Sequence, residues 1–421
     1  MTRPSMPGRW SPALALAIAG SIVLAVLGLL FSRPDVVAMG LPLALWSALA
    51  LGRGTSGVDA RPSSAPRSSA DGELRTEISV ESDAEMVELL VVLSERRSRR
   101  AIVPGSGSDA AVVARSRVLH SGPALSVQVA ARGLALDGAV LATPSEVVVS
   151  RRQVAPTPRT AGMLPLPRRL TGLHGSHEGR RPGQGGDFRD IHPFAPGDEL
   201  RRVDWRATAR TARRPGELLV RRTHTLSDAS VVIAMDTSED LGEMVSSWGS
   251  GDVERSGVTS LDNAREAARG LAIAAVDAGD RVALHVLVHG GRSLRSGSGA
   301  RHLARLEAAI AATGQARDDA SFRRTPHVPH GSVVLVLSTF FQGAAAQTAL
   351  MWRASGHRVV AIDVLPRLDR SRLSRPQLIA LRTVLAERGN VFADLHGAGV
   401  DVVTWAEDPS SALREIARAR R

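Results

Sequence analysis

Residues 230–240 read SVVIAMDTSED, an apolar run that breaks off into a turn of acids and hydroxyls. So short and so evenly apolar a run predicts a strand buried on both faces, as in a parallel sheet clad by helices. The rhythm continues downstream. Helices are expected over 261–278, 301–312, 343–354, 377–388 and 409–420, and strands over 281–288, 332–338, 357–365 and 400–404. Strands alternating with amphipathic helices give an α/β fold, a parallel-rich sheet with helices on both faces. Such sheets bind ligands at the carboxyl ends of their strands. That would gather residues 236–240, 338–342 and Asp363 at one edge.

Only part of the chain follows this rhythm. Its 421 residues are too many for one ordinary domain. Hydrophobic residues make up 43% but aromatics 3%, with no tyrosine, so the cores must be built from Ala, Val, Leu and Ile. There is no lysine, so all 53 basic residues are arginine. This excludes a phosphate loop of the G-x-x-x-x-G-K-[ST] kind and Schiff-base chemistry. The absence of cysteine excludes disulfides, thiolate nucleophiles and cysteine zinc sites. A net charge of +11 favours an acidic partner: anionic lipid, nucleic acid or an acidic protein surface.

Near the N-terminus, residues 12–31 (PALALAIAGSIVLAVLGLLF) carry no charge and are long enough to span a bilayer. A second apolar run, 36–51, contains Pro42 and follows a tight turn. Together, residues 1–52 read as a transmembrane hairpin rather than a cleaved signal peptide. Arg3 and Arg9 precede it and Arg53, Arg61 and Arg67 follow, while the turn offers Arg33 beside Asp35. Both ends and the soluble body are therefore expected in the cytoplasm, in a multi-pass cell-membrane protein. Residues 53–71, rich in Gly, Ser, Pro and Arg, read as a flexible linker. Short β-rich runs within 72–152, at 74–80, 86–93, 111–119, 125–131, 138–143 and 146–151, predict a small β-sandwich-like domain.

Charge concentrates in residues 159–225, which hold fourteen arginines against seven acids. Within it, 194–210 read FAPGDELRRVDWRATAR. Asp198 is expected to cap a helix starting at Glu199, with Leu200, Val203 and Ala207 as its core stripe and Trp205 in the core. Arg202, Arg206 and Arg210 would then line up at i, i+4 and i+8, a spacing at which like charges repel without an acidic partner. They either pair internally with Asp187, Asp190, Asp198, Glu199 and Asp204, or form a docking face. Nucleic acid is disfavoured because stacking aromatics are scarce. Upstream, His174, His177 and Glu178 lie among glycines and read as a loop rather than a metal site.

The run 172–179 (GLHGSHEG), then GGDFRD at 185–190, FAPGDELRRVDWRATAR and LLVRR at 218–222 resemble the signature of the domain of unknown function 58 family. The resemblance implies a von Willebrand factor type A-like domain over 229–421, preceded by an arginine-rich signature segment over 160–228. It also implies a membrane protein working beside a MoxR-type AAA+ ATPase, as a chaperone or assembly device for a client the sequence does not name. Domains of that type hold magnesium through Asp-x-Ser-x-Ser, a later threonine and a later aspartate. Here the motif is degenerate: Asp236, Ser238 and Asp240 are the candidate ligands, with Ser338 and Thr339 where an aspartate is expected, and no cofactor is assigned.

The expected function is therefore a membrane-anchored, non-enzymatic interaction or assembly protein partnered by a MoxR-type ATPase. Arg189, Asp198, Arg202, Asp204, Trp205, Arg206 and Arg210 are its candidate interaction residues. The competing readings are a metal-dependent hydrolase at Asp236, Ser238 and Asp240, and an arginine-rich nucleic-acid binder.

Overall fold

The structure, a computed structural model, describes residues 9–51, 58–63, 73–93, 97–105, 110–135, 139–167, 170, 177–248, 257–288, 291–316 and 325–419. It divides into two compact units, Met1–Leu119 with Ala124–Arg152, and His120–Pro123 with Gln153–Arg421.

The first unit opens with strand β1 (Arg9–Trp10) and helices α1 (Pro12–Leu30) and α2 (Pro34–Leu51). The Ser11 hydroxyl caps α1 by accepting the Leu14 N–H at 3.2 Å. Pro12 follows where an N–H would have had no partner. The helices lie side by side because Gly28 leaves room for Val37; a Cβ there would collide with it. Both helices are long and apolar enough to cross a membrane. Leu16, Leu29, Leu41 and Leu45 point outward from the pair. α2 starts earlier than its apolar run suggests and continues through Pro42.

Strands β2 (Val58–Ser63), β3 (Glu73–Ser82), β4 (Met86–Leu93), β5 (Ser98–Pro104), β6 (Ala110–Arg117), β7 (Gly122–Leu134), β8 (Val140–Leu141) and β9 (Val148–Val154) follow. They form two antiparallel sheets, β1-β8-β7-β4-β5 with β9 beside β7, and β2-β3-β6. Val87, Leu89 and Val91 of β4 share one core with Val127 and Val129 of β7 and with Ile78, Val80 and Ala114 of the other sheet. That period-two burial makes a sandwich. On the outer face Glu88 meets Arg132 and Arg100. β2 lies inside the stretch read as linker, and β5 begins on Ser98-Arg99-Arg100, a segment without a strand signature.

The second unit contains β10 (His177–Pro193), α3 (Trp205–Thr211), β11 (Leu219–Ser227), β12 (Ser230–Met235), α4 (Ser260–Asp277), β13 (Arg281–Val286), β14 (Ser293–Gly297) and α5 (Ala300–Ala311). Then come β15 (Val333–Ser338), α6 (Gly343–Ala354), β16 (Arg358–Asp363), α7 (Arg375–Gly397), β17 (Asp401–Thr404) and α8 (Pro409–Arg418). Its main sheet runs β14-β13-β12-β15-β16-β17, parallel except for β14 at the edge. Successive residues of β12 face opposite ways. Val231, Ile233 and Met235 join Leu261, Leu271, Leu306 and Leu413 from α4, α5 and α8. Val232 and Ala234 join Ala349, Trp352 and Leu395 from α6 and α7. Both faces are thus covered, and each fully buried aliphatic side chain contributes about 1.5–3 kcal/mol.

Three differences from the sequence reading bear on the site. β14 is an added antiparallel strand. α7 is 23 residues long because it continues past Gly389, where the helix was expected to stop, until Leu395 is buried. Residues 177–186, the described part of the stretch around His177 and Glu178 expected as glycine-rich loop, instead belong to strand β10, which pairs with β11 through register shifts after Gly179, Gly183 and Phe188.

Candidate functional site

Two regions of the second unit hold the candidate residues. The first is the carboxyl edge of the sheet, where the expected residues do converge. Asp236 follows β12, and its N–H donates to Leu337 O at 2.8 Å. Its Oδ1 accepts from the Ser238 N–H (3.1 Å) and hydroxyl (2.8 Å), and its Oδ2 from the Ser338 hydroxyl at 2.6 Å. Ser338 Oγ in turn accepts the Phe340 N–H at 2.9 Å, and Phe340 sits at φ 58°. Glu239 accepts the Thr339 hydroxyl at 2.6 Å. Asp240 serves α4 instead, taking the Leu261 N–H at 3.2 Å, where the positive end of the helix dipole suits a carboxylate. Burial pushes the Glu239 and Asp240 carboxyls above their ordinary range.

Magnesium needs a near-octahedral shell of oxygens. Asp236 and Ser238 face each other, but their polar atoms are bonded together, and Asp240 is directed at the helix terminus. Among the described residues no group of three or more His, Asp or Glu side chains is placed to hold a metal ion. Of the three expected metal ligands, Asp236 and Ser238 are thus brought together, and Asp240 is turned to the start of α4.

Behind this edge Arg388 of α7 is buried. Its Nε donates to Thr339 O at 2.5 Å, and its Nη2 pairs with Asp363 Oδ1, which also takes the Leu365 N–H at 3.0 Å. The guanidinium lies 4.5 Å from the Phe392 ring centre and 5.2 Å from that of Phe341. Burial raises the Asp363 carboxyl, against the opposing charge of Arg388. At the start of α4, Asp262 closes a capping box with Thr259. It also lies 2.7 Å from His120 Nδ1 and takes both the N–H (2.8 Å) and the hydroxyl (2.9 Å) of Ser121. Burial would raise the Asp262 carboxyl, but these donors hold it below its usual range. Arg265 completes the cluster through Thr313 O at 2.8 Å and Ser121 O at 2.9 Å. Nothing in the spacing of residues 120, 121, 262 and 265 signals this group.

The second region is the arginine-rich hook over 188–222, which departs from the expected helix. Asp198 caps no helix; it closes the turn at Gly197 (φ 97°) by accepting the Ala195 N–H at 2.9 Å, and it faces His192 and Arg222 at 3.5 and 3.6 Å. Leu200–Arg202 form one 3-10 turn. Val203 is buried and bridges to Val220, and the Asp204 N–H donates to Leu219 O at 2.8 Å. This pairing ends the turn. Asp204 then caps α3, accepting the Ala207 N–H at 2.9 Å, and the Thr208 hydroxyl ties α3 to Leu219 at 3.0 Å. Arg202 therefore lies outside the helix that carries Arg206 and Arg210.

Burial also differs at two expected core positions. Leu200 is 65% exposed and Trp205 66%, so neither belongs to the core. The arginines divide into two classes. Arg201 and Arg202 pair with Glu199, and Arg222 with Asp198. Arg206, Arg210, Arg213 and Arg214 make no ion pair among the described residues, because Asp204 serves the helix cap and Glu217 accepts the N–H groups of Arg213 and Arg214. The side chain of Arg189 and the whole of His174 lie outside the described residues, while His177 Nε2 lies 2.9 Å from Asp280.

Residues 190–384 match the model of a family described as protein of unknown function DUF58. The match supports the resemblance seen in the signature residues. The DUF58 segment starts within β10 and ends within α7, taking in the hook, the Asp236 turn and Asp363, and stopping short of Arg388. No curated protein matches the chain.

Proposed function

We propose that this chain is a membrane-anchored, non-enzymatic interaction protein that works with a MoxR-type AAA+ ATPase to act on a client. On this reading the body is cytoplasmic, and the second unit, a von Willebrand factor A-like domain, presents the hook as its docking face. One observation carries the docking reading: Trp205 stands exposed on α3 beside Arg206 and Arg210, which have no ion-pair partner among the described residues. Tryptophan and arginine are the side chains that most often dominate binding energy at protein interfaces. The strand order around β12, with one antiparallel edge strand, supports the domain reading. The commitment of Asp236, Ser238 and Asp240 to internal hydrogen bonds favours a structural role for them over hydrolysis.

The test is affinity capture with the full chain in detergent, beside a variant carrying Arg206→Glu and Arg210→Glu whose fold is checked by circular dichroism. Recovery of an AAA+ ATPase by the native chain and its loss from the variant is the expected result. Recovery of no ATPase by either chain would overturn the partnership.

A further inference from the structure

Trp205, Arg206, Ala209, Arg210 and the terminal Thr211 of α3 are exposed, while Ala207 and Thr208 are half-buried and Thr208 bonds to β11. At 3.6 residues per turn this makes two neighbouring ridges: an apolar one of Trp205 and Ala209, and a cationic one of Arg206 and Arg210. Within each ridge the residues stand about 6 Å apart along the helix axis. We propose that this face receives an acidic amphipathic helix of a partner protein, whose apolar ridge seats on Trp205 and Ala209 and whose carboxylates, at i and i+4, meet Arg206 and Arg210. The inference rests on the protein-docking reading and specifies the chemistry of the partner.

Several observations favour a protein helix over other acidic partners. The face is held rigidly by the Asp204 cap, the Thr208–Leu219 bond and the buried Val203, so little ordering is needed on binding. A bilayer would need a broad apolar face to bury into the interface, and α3 offers one large apolar side chain. Single-stranded nucleic acid would need successive stacking platforms, and the face has one aromatic ring. Arg206 and Arg210 also repel each other at i, i+4, a strain that two carboxylates would relieve.

The experiment uses the full chain in neutral detergent and two synthetic amphipathic helices, identical except for Glu or Lys at the i and i+4 positions. Binding is read from the fluorescence of Trp205, isolated by difference against Trp205→Phe. The Glu helix is expected to blue-shift Trp205 and to bind about tenfold or more tighter than the Lys helix, with affinity falling as salt rises. Arg206→Glu with Arg210→Glu should reverse that preference, which a merely misfolded variant could not do. Equal binding of the two helices, or an unreversed preference, would overturn the inference. So would a Trp205 shift produced by phosphatidylglycerol vesicles or single-stranded DNA but not by the Glu helix. Charge-selective binding without ATPase capture would leave the surface assigned and remove the ATPase partnership; ATPase capture indifferent to the charge reversal would do the opposite.

Discussion

Arg388 and Arg206 show how one residue type serves opposite ends. Arg388 is buried, and its donors reach Thr339 O and Asp363 while two phenylalanine rings flank its guanidinium. Arg206 stands in water on a short helix next to an exposed tryptophan, with no ion-pair partner among the described residues. A chain without lysine must use arginine both as mortar for the sheet edge and as bait on the surface. What separates the roles is whether the acids nearby are free to pair: Asp363 is, whereas Asp204 is occupied as a helix cap. Charge counts along the sequence cannot show that difference.

The largest effect should come from breaking the buried side of this comparison. Arg388→Met leaves Asp363 in the core without its counter-charge and should destabilise the second unit by about 3–5 kcal/mol, measured by urea unfolding followed at buried Trp352 and Trp405. Adding Asp363→Asn should restore much of that loss; if the two changes are simply additive, the pair is not the unit it is taken to be. Next is Gly122→Ala. Gly122 sits at φ 90° with the Arg265 guanidinium where a Cβ would go. A loss of about 1–3 kcal/mol is expected, and a neutral result would mean that both the left-handed backbone at Gly122 and Arg265 readjust without cost.

Glu239→Gln should act in the opposite direction. Burial raises this carboxyl, so the native chain holds its proton more tightly than the unfolded one. The associated stability is full below the ordinary glutamate value of about 4.3 and is lost as pH rises through the higher folded value. The glutamine variant should therefore be the more stable at pH 7, by up to about 1 kcal/mol, and equal to the native chain in acid. Smallest of all should be the exposed side. Trp205→Ala and Arg206→Ala should each change stability by no more than about 0.5 kcal/mol while weakening the partner complex. A large stability loss in either would move α3 from docking face to framework.

The sheet was legible because its signals are local. Ser230–Met235 and Gly343–Ala354 fall where the apolar rhythm puts them, since each buries its side chains in the pattern that its own residues spell out. The convergence of Asp236, Glu239, Ser338, Thr339 and Asp363 followed from the same rule. β5 was not legible: its charged first half gains its partner from the apolar β4. The extent of α7 was hidden by Gly389, which is tolerated because Phe392 and Leu395 anchor the following turns. The hook was misread most. The 194–210 stretch has helix spacing, but pairing of Val203 with Val220 halts the first turn and starts the helix afresh at Trp205, leaving Leu200 and Trp205 outside the core they were expected to join while Val203 stays buried.

Ser338 carries a consequence of its own. Its single hydroxyl hydrogen is committed to Asp236, and its lone pair receives the Phe340 N–H, so the bonds point in one direction, from backbone through hydroxyl to carboxylate. Dipoles aligned head to tail polarise one another. The end of β15 therefore carries a short polarised chain: the Asp236 carboxylate makes the Ser338 oxygen a better acceptor and so helps to hold the left-handed peptide at Phe340, two hydrogen bonds away.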